Sequence, residues 1–232
     1  MKIVNPATEE MIEEIAEDNS LTLRNKFQLL KTGWYSWRQI PLAERVGIVR
    51  RFSALLEANM ERLAAILTSE VGKPLQQSRN ELKGAITRIQ WLAQNAEKYL
   101  KEEWMASGNT MEEMFVYEPL GVVCNISAWN YPYLVGVNVF VPALIAGNAV
   151  MYKPSEFATL SGMEIDKLLK EAGIPESVFQ PAIGGGAVGE ALMHIPFDGY
   201  FFTGSYKTGK SVYEKASLKM VPCQCELGGK DP

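Results

Sequence analysis

Glu226-Leu227-Gly228-Gly229-Lys230 sets a carboxylate directly ahead of two glycines. A Glu on so pliable a backbone can swing, and a substrate or cofactor can approach it closely. That suits a general base which takes the proton of an attacking water. The plain alternative is an exposed Glu before a turn. Asn130, within Trp129-Asn130-Tyr131-Pro132, brings an uncharged N–H₂ donor. Such a donor stabilises an oxygen that turns negative only in a transition state. An Asn before an aromatic-Pro pair is also an ordinary loop former.

Lys153-Pro154-Ser155-Glu156 closes an apolar run. Leaving its charges buried and unpaired would be costly, so they must reach solvent or a polar ligand. Lys153 offers ammonium donors and Glu156 a bidentate acceptor for ribose hydroxyls. An acid at that position repels a 2′-phosphate and so favours NAD over NADP. A local surface ion pair is the competing reading. In Phe202-Thr203-Gly204-Ser205-Tyr206-Lys207-Thr208-Gly209, Gly204 permits a tight turn, and the N–H groups of a following helix can face a phosphate. The Ser205 hydroxyl adds one donor. A simple strand-to-helix turn would look the same, and the segment matches neither Gly-x-Gly-x-x-Gly nor a Walker loop. Gly184-Gly185-Gly186-Ala187-Val188-Gly189 is a second glycine-rich turn, equally explained by a need for positive φ angles.

These residues need elements that bring them together. Leu42, Val46, Val49, Phe52, Leu56, Leu63 and Leu67 recur at helical spacing after Pro41, and Gly72 and Pro74 stop the pattern. A second amphipathic helix starts near Gln76 and carries Leu82, Ile86, Ile89, Leu92 and Leu100. Met114 to Ile126 reads as strand, bend, strand. Beyond it, strands are expected at 121–126, 149–153, 179–183, 199–203 and 221–227. Helices are expected at 135–146, 161–172, 188–194 and 209–217. Short apolar strands alternating with helices imply a parallel sheet covered on both faces, and such a sheet binds ligands beyond its strand C-termini. Every segment named above falls at such an end.

Composition narrows the function. The 232 residues carry a net charge of −4, with 47% hydrophobic and 22% charged residues, the balance of a globular protein that has no general attraction for nucleic acid or anionic membrane. The most apolar stretch, 133–152, is broken by Gly136, Asn138, Pro142, Gly147 and Asn148, so a buried helix and strand are expected in place of a membrane span. Residues 1–20 are acidic and lack the apolar core of a secretory signal. Three cysteines without a paired framework fit the reducing cytoplasm. Cys223-Gln224-Cys225 is too tight for a CxxC site and is read as two strand residues facing opposite sides. The lone His194 has no ligand pattern around it, so no metal site is expected.

Taken together, the Trp129–Pro132, Lys153–Glu156, Phe202–Ser205 and Glu226–Lys230 segments resemble the aldehyde dehydrogenase superfamily, from Asn5-Pro6-Ala7-Thr8 onwards. The resemblance implies an α/β fold: a Rossmann-like parallel sheet with helices on both faces, preceded by an N-terminal helical segment and a β arm. It implies NAD(P)-dependent oxidation of an aldehyde, NAD being favoured; which aldehyde is not legible here, a semialdehyde such as succinate semialdehyde being one candidate. Asn130 becomes the oxyanion donor and Glu226 the hydrolytic base. Ile126 and Trp129 line the nicotinamide pocket, and Lys153 and Glu156 hold the adenosine ribose. Ser205 approaches the pyrophosphate after Gly204, Gly186 lies near the adenine, and Ser155 and Leu227 join the cofactor-binding set. Ala128 and Tyr206 depart from the family's usual Pro and Thr.

The same resemblance divides the chain into a helical part of the cofactor domain (1–105), the start of an oligomerisation arm (106–120) and the cofactor-binding core (121–232). It places the nucleophilic cysteine beyond Pro232, so these residues are expected not to oxidise aldehydes alone. The strand at 111–117 is expected to lack its partner within the chain, and the parent enzyme to be a homodimer or homotetramer. Two other readings stay open: a non-catalytic dinucleotide-binding module, and an acylating reductase that passes the acyl group to coenzyme A or phosphate.

Overall fold

The structure is a computed structural model and describes residues 1–107 and 111–230. Asp231 and Pro232, at the end of the last motif, lie outside the described residues, as do 108–110 of the expected arm. Five parallel strands form the central sheet: β5 (Val122–Ile126), β6 (Ala149–Lys153), β7 (Phe179–Pro181), β8 (Gly199–Gly204) and β9 (Cys223–Leu227), ordered β7-β6-β5-β8-β9. The chain first winds outward from β5 to β7, then restarts beside β5 with β8 and winds the other way. Loops leaving β5 and β8 therefore diverge and open a crevice at the C-terminal edge.

Side-chain alternation along these strands assigns helices to the two faces. Val123, Val150, Tyr152 and Phe179 join one core, with α2 (Leu42–Ala58), α3 (Met60–Val71), α4 (Leu75–Leu100), α5 (Pro132–Ile145) and α6 (Thr159–Ala172). Val122, Cys124, Ala149, Met151, Tyr200 and Phe202 join the other, with α1 (Ser20–Trp37), α7 (Gly186–Leu192) and α8 (Tyr206–Ser217). Strands β5 and β6 are buried on both faces and read as nearly continuous apolar runs, apart from Asn125 and the terminal Lys153, whereas β9 exposes Gln224 and Glu226 on one face. Cys124 is fully buried, and burial pushes its thiol up to about 12, consistent with a small core hydrophobe. The 133–152 stretch becomes α5 and β6, and among the described residues no helix is long and apolar enough to cross a membrane.

Several expectations change. The periodic stretch from Leu42 to Leu67 is two helices, broken at Asn59. Both the Asn59 backbone N–H and its side-chain amide donate to the Leu55 carbonyl (3.1 and 2.9 Å), the local competition that interrupts a helix. Helix α1 was not singled out; Asn19 and Thr22 start it with a reciprocal capping box. The strand expected to lack a partner, β4 (Glu112–Phe115), pairs antiparallel with β3 (Glu103–Ser107). At the N-terminus β1 (Lys2–Val4) pairs with β2 (Met11–Glu14). Finally, Cys223 and Cys225 share one face of β9, with sulfurs 3.9 Å apart. Side chains alternate with period two, so i and i+2 cannot face opposite sides.

Candidate active site

Every site residue predicted from the sequence lines one cavity of about 760 Å³ at the C-terminal edge of the sheet. Ile126, Trp129 and Asn130 come from the end of β5 and the loop after it. Lys153, Ser155 and Glu156 follow β6, Gly186 opens α7, Gly204 and Ser205 join β8 to α8, and Glu226 and Leu227 end β9. Among the described residues no cysteine lines the cavity.

Lys153 is the buried cation of the site, 4% exposed. Its ammonium donates to the Pro154 carbonyl at 3.2 Å and stands 3.8 Å from the Glu156 carboxylate. Burial lowers its pKa, and Glu156 opposes that. An ammonium with three donors and so few partners is set for a polar ligand. Ser155 has a local duty: its Oγ caps the single turn 156–158 by accepting from Phe157 N at 3.3 Å.

Ser205 differs from its expectation. Its Oγ accepts from Thr208 N at 3.3 Å and donates to Thr208 Oγ1 at 3.0 Å, so the hydroxyl caps α8 and does not stand as a free donor. The N–H groups of Tyr206 and Lys207, in the first turn, are what this terminus offers an anion. Gly204 is required by packing and not by its turn: a Cβ there would lie 2.6 Å from Phe202 Cζ. The positive φ of the other glycine turn belongs to Gly184 (+148°), whereas Gly186 faces open space with nothing within 4 Å of a Cβ. That opening belongs to the cavity.

Asn130 is exposed, and its Oδ1 accepts from Tyr131 N at 3.1 Å, which leaves the Nδ2 hydrogens for a ligand. Its backbone is anchored by residues that sequence reasoning missed. Lys73 Nζ donates to the Asn130 carbonyl at 2.7 Å and to Glu81 at 2.5 Å, and it lies 4.1 Å from the Tyr131 ring centroid. Glu81, almost fully buried, accepts from Tyr133 N at 2.8 Å at the start of α5. Burial raises the Glu81 pKa, against the pull of Lys73 and the Tyr133 and Leu134 N–H groups. No sequence signal links Lys73 to a loop 57 residues away.

Glu226 ends β9 opposite Thr203 of β8. Gln224, two residues back on the same face, donates to its Oε1 at 2.9 Å, and Gly228 N bonds to the Gly204 carbonyl at 3.2 Å. These bonds join the carboxylate's strand end to the anion-binding turn. Glu190 of α7 and Lys215 of α8 also line the cavity and form an ion pair at its rim. Both lie on their helices beyond the glycine-rich motifs that open them, where the sequence carries no further signal. The cavity thus combines a buried ammonium, a helix N-terminus, an amide donor and an exposed carboxylate.

The family model described as aldehyde dehydrogenase family matches residues 1–232. The chain is 31% identical over 234 residues to 3,6-anhydro-alpha-L-galactose dehydrogenase of Vibrio sp. (strain EJY3), covering 100% of this chain and 48% of that protein. It is 34% identical over 233 residues to NADP/NAD-dependent aldehyde dehydrogenase PuuC of Escherichia coli (strain K12), covering 98% and 47% respectively. It superposes with a TM-score of 0.95, at 29% identity, on a betaine aldehyde dehydrogenase double mutant of Staphylococcus aureus solved in complex with NAD+, covering 100% of this chain and 47% of that one. The chain spans about half the length of the curated relatives it matches.

Proposed function

We propose, from the premise that this chain belongs to the aldehyde dehydrogenase family, that it supplies the dinucleotide site, oxyanion donor and water-activating base of an enzyme oxidising an aldehyde to a carboxylate. The observation that carries this is the convergence of separate strand-end residues, from Ile126 to Leu227, on one cavity.

The residues fit a nicotinamide dinucleotide. Lys153 has donors to spare inside a buried wall, the first turn of α8 presents N–H groups, and the space over Gly186 is open. Such a group, when bound, supplies the acceptor for a hydride. Lys153 and Glu156 then bind ribose hydroxyls, and the Tyr206 and Lys207 N–H groups meet phosphate oxygens. Ile126 and Trp129 flank the reacting end. Asn130 Nδ2 donates to the substrate oxygen as it gains charge, and Glu226 takes a proton from the water that releases the acid. A Glu at the ribose disfavours a 2′-phosphate, so NAD is the preferred dinucleotide of this reading. A base at the cavity favours water over coenzyme A or phosphate as acyl acceptor. The reading assigns no nucleophile to the chain's own thiols: Cys124 is buried, and Cys223 and Cys225 lie behind Glu226 on the face towards α8. It extends to a homo-oligomer in which the β3–β4 hairpin, exposing Trp104, Met105 and Phe115, meets another subunit.

The test uses the intact protein that carries this chain. NAD titration is followed by intrinsic tryptophan fluorescence, and aldehyde turnover by NADH absorbance. Asn130→Ala should lower kcat by about 10²–10³-fold, the loss typical of one oxyanion donor, with NAD affinity retained. Glu226→Gln should abolish steady-state turnover while leaving a single burst of NADH. Wild-type rates in both variants would refute the assignment.

A further inference from the structure

We propose that Cys223 and Cys225 form a two-sulfur clamp for a soft, thiophilic metal ion of low coordination number, monovalent copper being the representative. This runs against the sequence expectation of no metal site, in which His194 had no ligand pattern and Cys223-Gln224-Cys225 was set aside as too tight for a CxxC site. They lie on one face of β9 with sulfurs 3.9 Å apart.

That spacing suits a shared ligand. It is well beyond the length of a disulfide, about 2.05 Å. With metal–sulfur bonds of about 2.3 Å, two sulfurs on one ion lie just under 4 Å apart when the angle is near tetrahedral and roughly 4.6 Å apart when it is linear. The pair already sits inside that span, and little movement of the strand is needed to load it. The β8–β9 ladder, with Tyr200 opposite Cys223 and Phe202 opposite Cys225, holds both residues on one face roughly 6.6 Å apart along the strand, and their side chains lean together to bring the sulfurs to 3.9 Å.

The surroundings select the kind of ion. Both thiols are half-buried, as free cysteines, against α8. Besides each other, their polar contact is a weak one from Cys225 Sγ to the Gly209 carbonyl at 3.7 Å. Among the described residues no third His, Cys, Asp or Glu completes a metal-binding group, so a four-coordinate zinc site is not built here. Two sulfurs in partly apolar surroundings favour a soft ion that is satisfied by two ligands. On loading, each S–H bond breaks, its proton passes to solvent, and two metal–sulfur bonds form. No electron changes hands. The site bears one negative charge with a monovalent ion.

The decisive measurement titrates the reduced, intact protein without oxygen against monovalent copper held by a coloured chelator. The wild type should withdraw one equivalent more than either Cys223→Ser or Cys225→Ser, with affinity for that equivalent at least tenfold above the variants. Cys124→Ser should behave as wild type. Circular dichroism confirms that each variant is folded, and Cys223→Ala and Cys225→Ala replace any Ser variant that is not. Equal uptake by wild type and both single variants would overturn the proposal. So would a wild type that leaves all its copper with the chelator.

Discussion

The Lys73 ammonium donates to the Asn130 backbone carbonyl across 2.7 Å, while the same nitrogen bonds Glu81. A side chain between α3 and α4 thereby holds the loop that carries the proposed oxyanion donor. Glu81 in turn accepts from the Tyr133 backbone N–H, so the two residues grip the loop on either side of Tyr131 and Pro132. The Asn130 side chain stays unconstrained except through Tyr131 N.

Removing one partner of this pair should be costly, because the other is left as a buried, uncompensated charge. Glu81→Leu is expected to lower unfolding stability by about 3–5 kcal/mol, read from urea denaturation. A loss below about 1 kcal/mol, at the level of a surface pair, would mean that the pair does not anchor the loop.

Two glycines separate packing from ligand space. A Cβ at Gly162 would lie 2.5 Å from both Cβ and Cγ of Pro154, a rigid ring between Lys153 and Ser155. Gly162→Ala should cost about 1–3 kcal/mol by overpacking and should weaken dinucleotide binding by displacing Lys153. Gly186→Ala meets nothing within 4 Å, so its stability should stay within about 0.5 kcal/mol of wild type while dinucleotide binding weakens. Thermal melts and NAD titrations of both proteins separate the effects. Unchanged NAD affinity in Gly186→Ala would take the space above it out of the ligand site.

Glu70 makes stability depend on pH. It is 5% exposed and accepts from Leu160 N at 2.8 Å and Ser161 N at 2.7 Å, where α6 begins. Burial pushes its carboxyl from 4.5 up to about 7, against the pull of Ser161 and both N–H groups. Between those values the folded protein keeps a proton that the unfolded chain has released. Its contribution is therefore complete below 4.5 and is lost as pH rises through 7, on the order of 3 kcal/mol in all. Wild type should lose stability relative to Glu70→Gln between about pH 5 and pH 8, as measured by urea midpoints. Parallel curves for the two proteins would exclude it.

Glu156 should govern the choice of dinucleotide. Its carboxylate stands 3.8 Å from the Lys153 ammonium at the cavity wall. Glu156→Gln removes the charge that opposes a 2′-phosphate and should narrow the NAD-to-NADP affinity ratio roughly tenfold, about 1.4 kcal/mol. Dissociation constants for both dinucleotides give the ratio directly. An unchanged ratio would assign selectivity to other residues, with Lys215 and Glu190 at the rim the next to examine.

The strand ends were legible in the sequence because their code is local. Apolar runs closed by Lys153-Pro154, Gly204-Ser205 or Glu226-Leu227-Gly228 mark where a buried strand must emerge, and alternation with helical periods implies a parallel sheet. Period two also determined that Cys223 and Cys225 share a face; reading them as opposed misapplied it. The break at Asn59 was less visible, since Leu56 and Leu63 keep helical spacing across it and only a side chain bonding back to Leu55 interrupts the turn.

By itself the sequence determined the α/β alternation, the residue types waiting at each strand end and the family resemblance. Each depends on neighbours a few residues apart, where backbone sterics and side-chain period act directly. Tertiary structure alone decided that Lys73 and Glu81 secure the Asn130 loop and that Glu190 and Lys215 meet across the cavity. The Lys73 and Glu190 pairings join residues distant in sequence. Their distances exist only once α3, α4, α7 and α8 pack on the sheet, because burial and strand order, not spacing along the chain, set which charges come together.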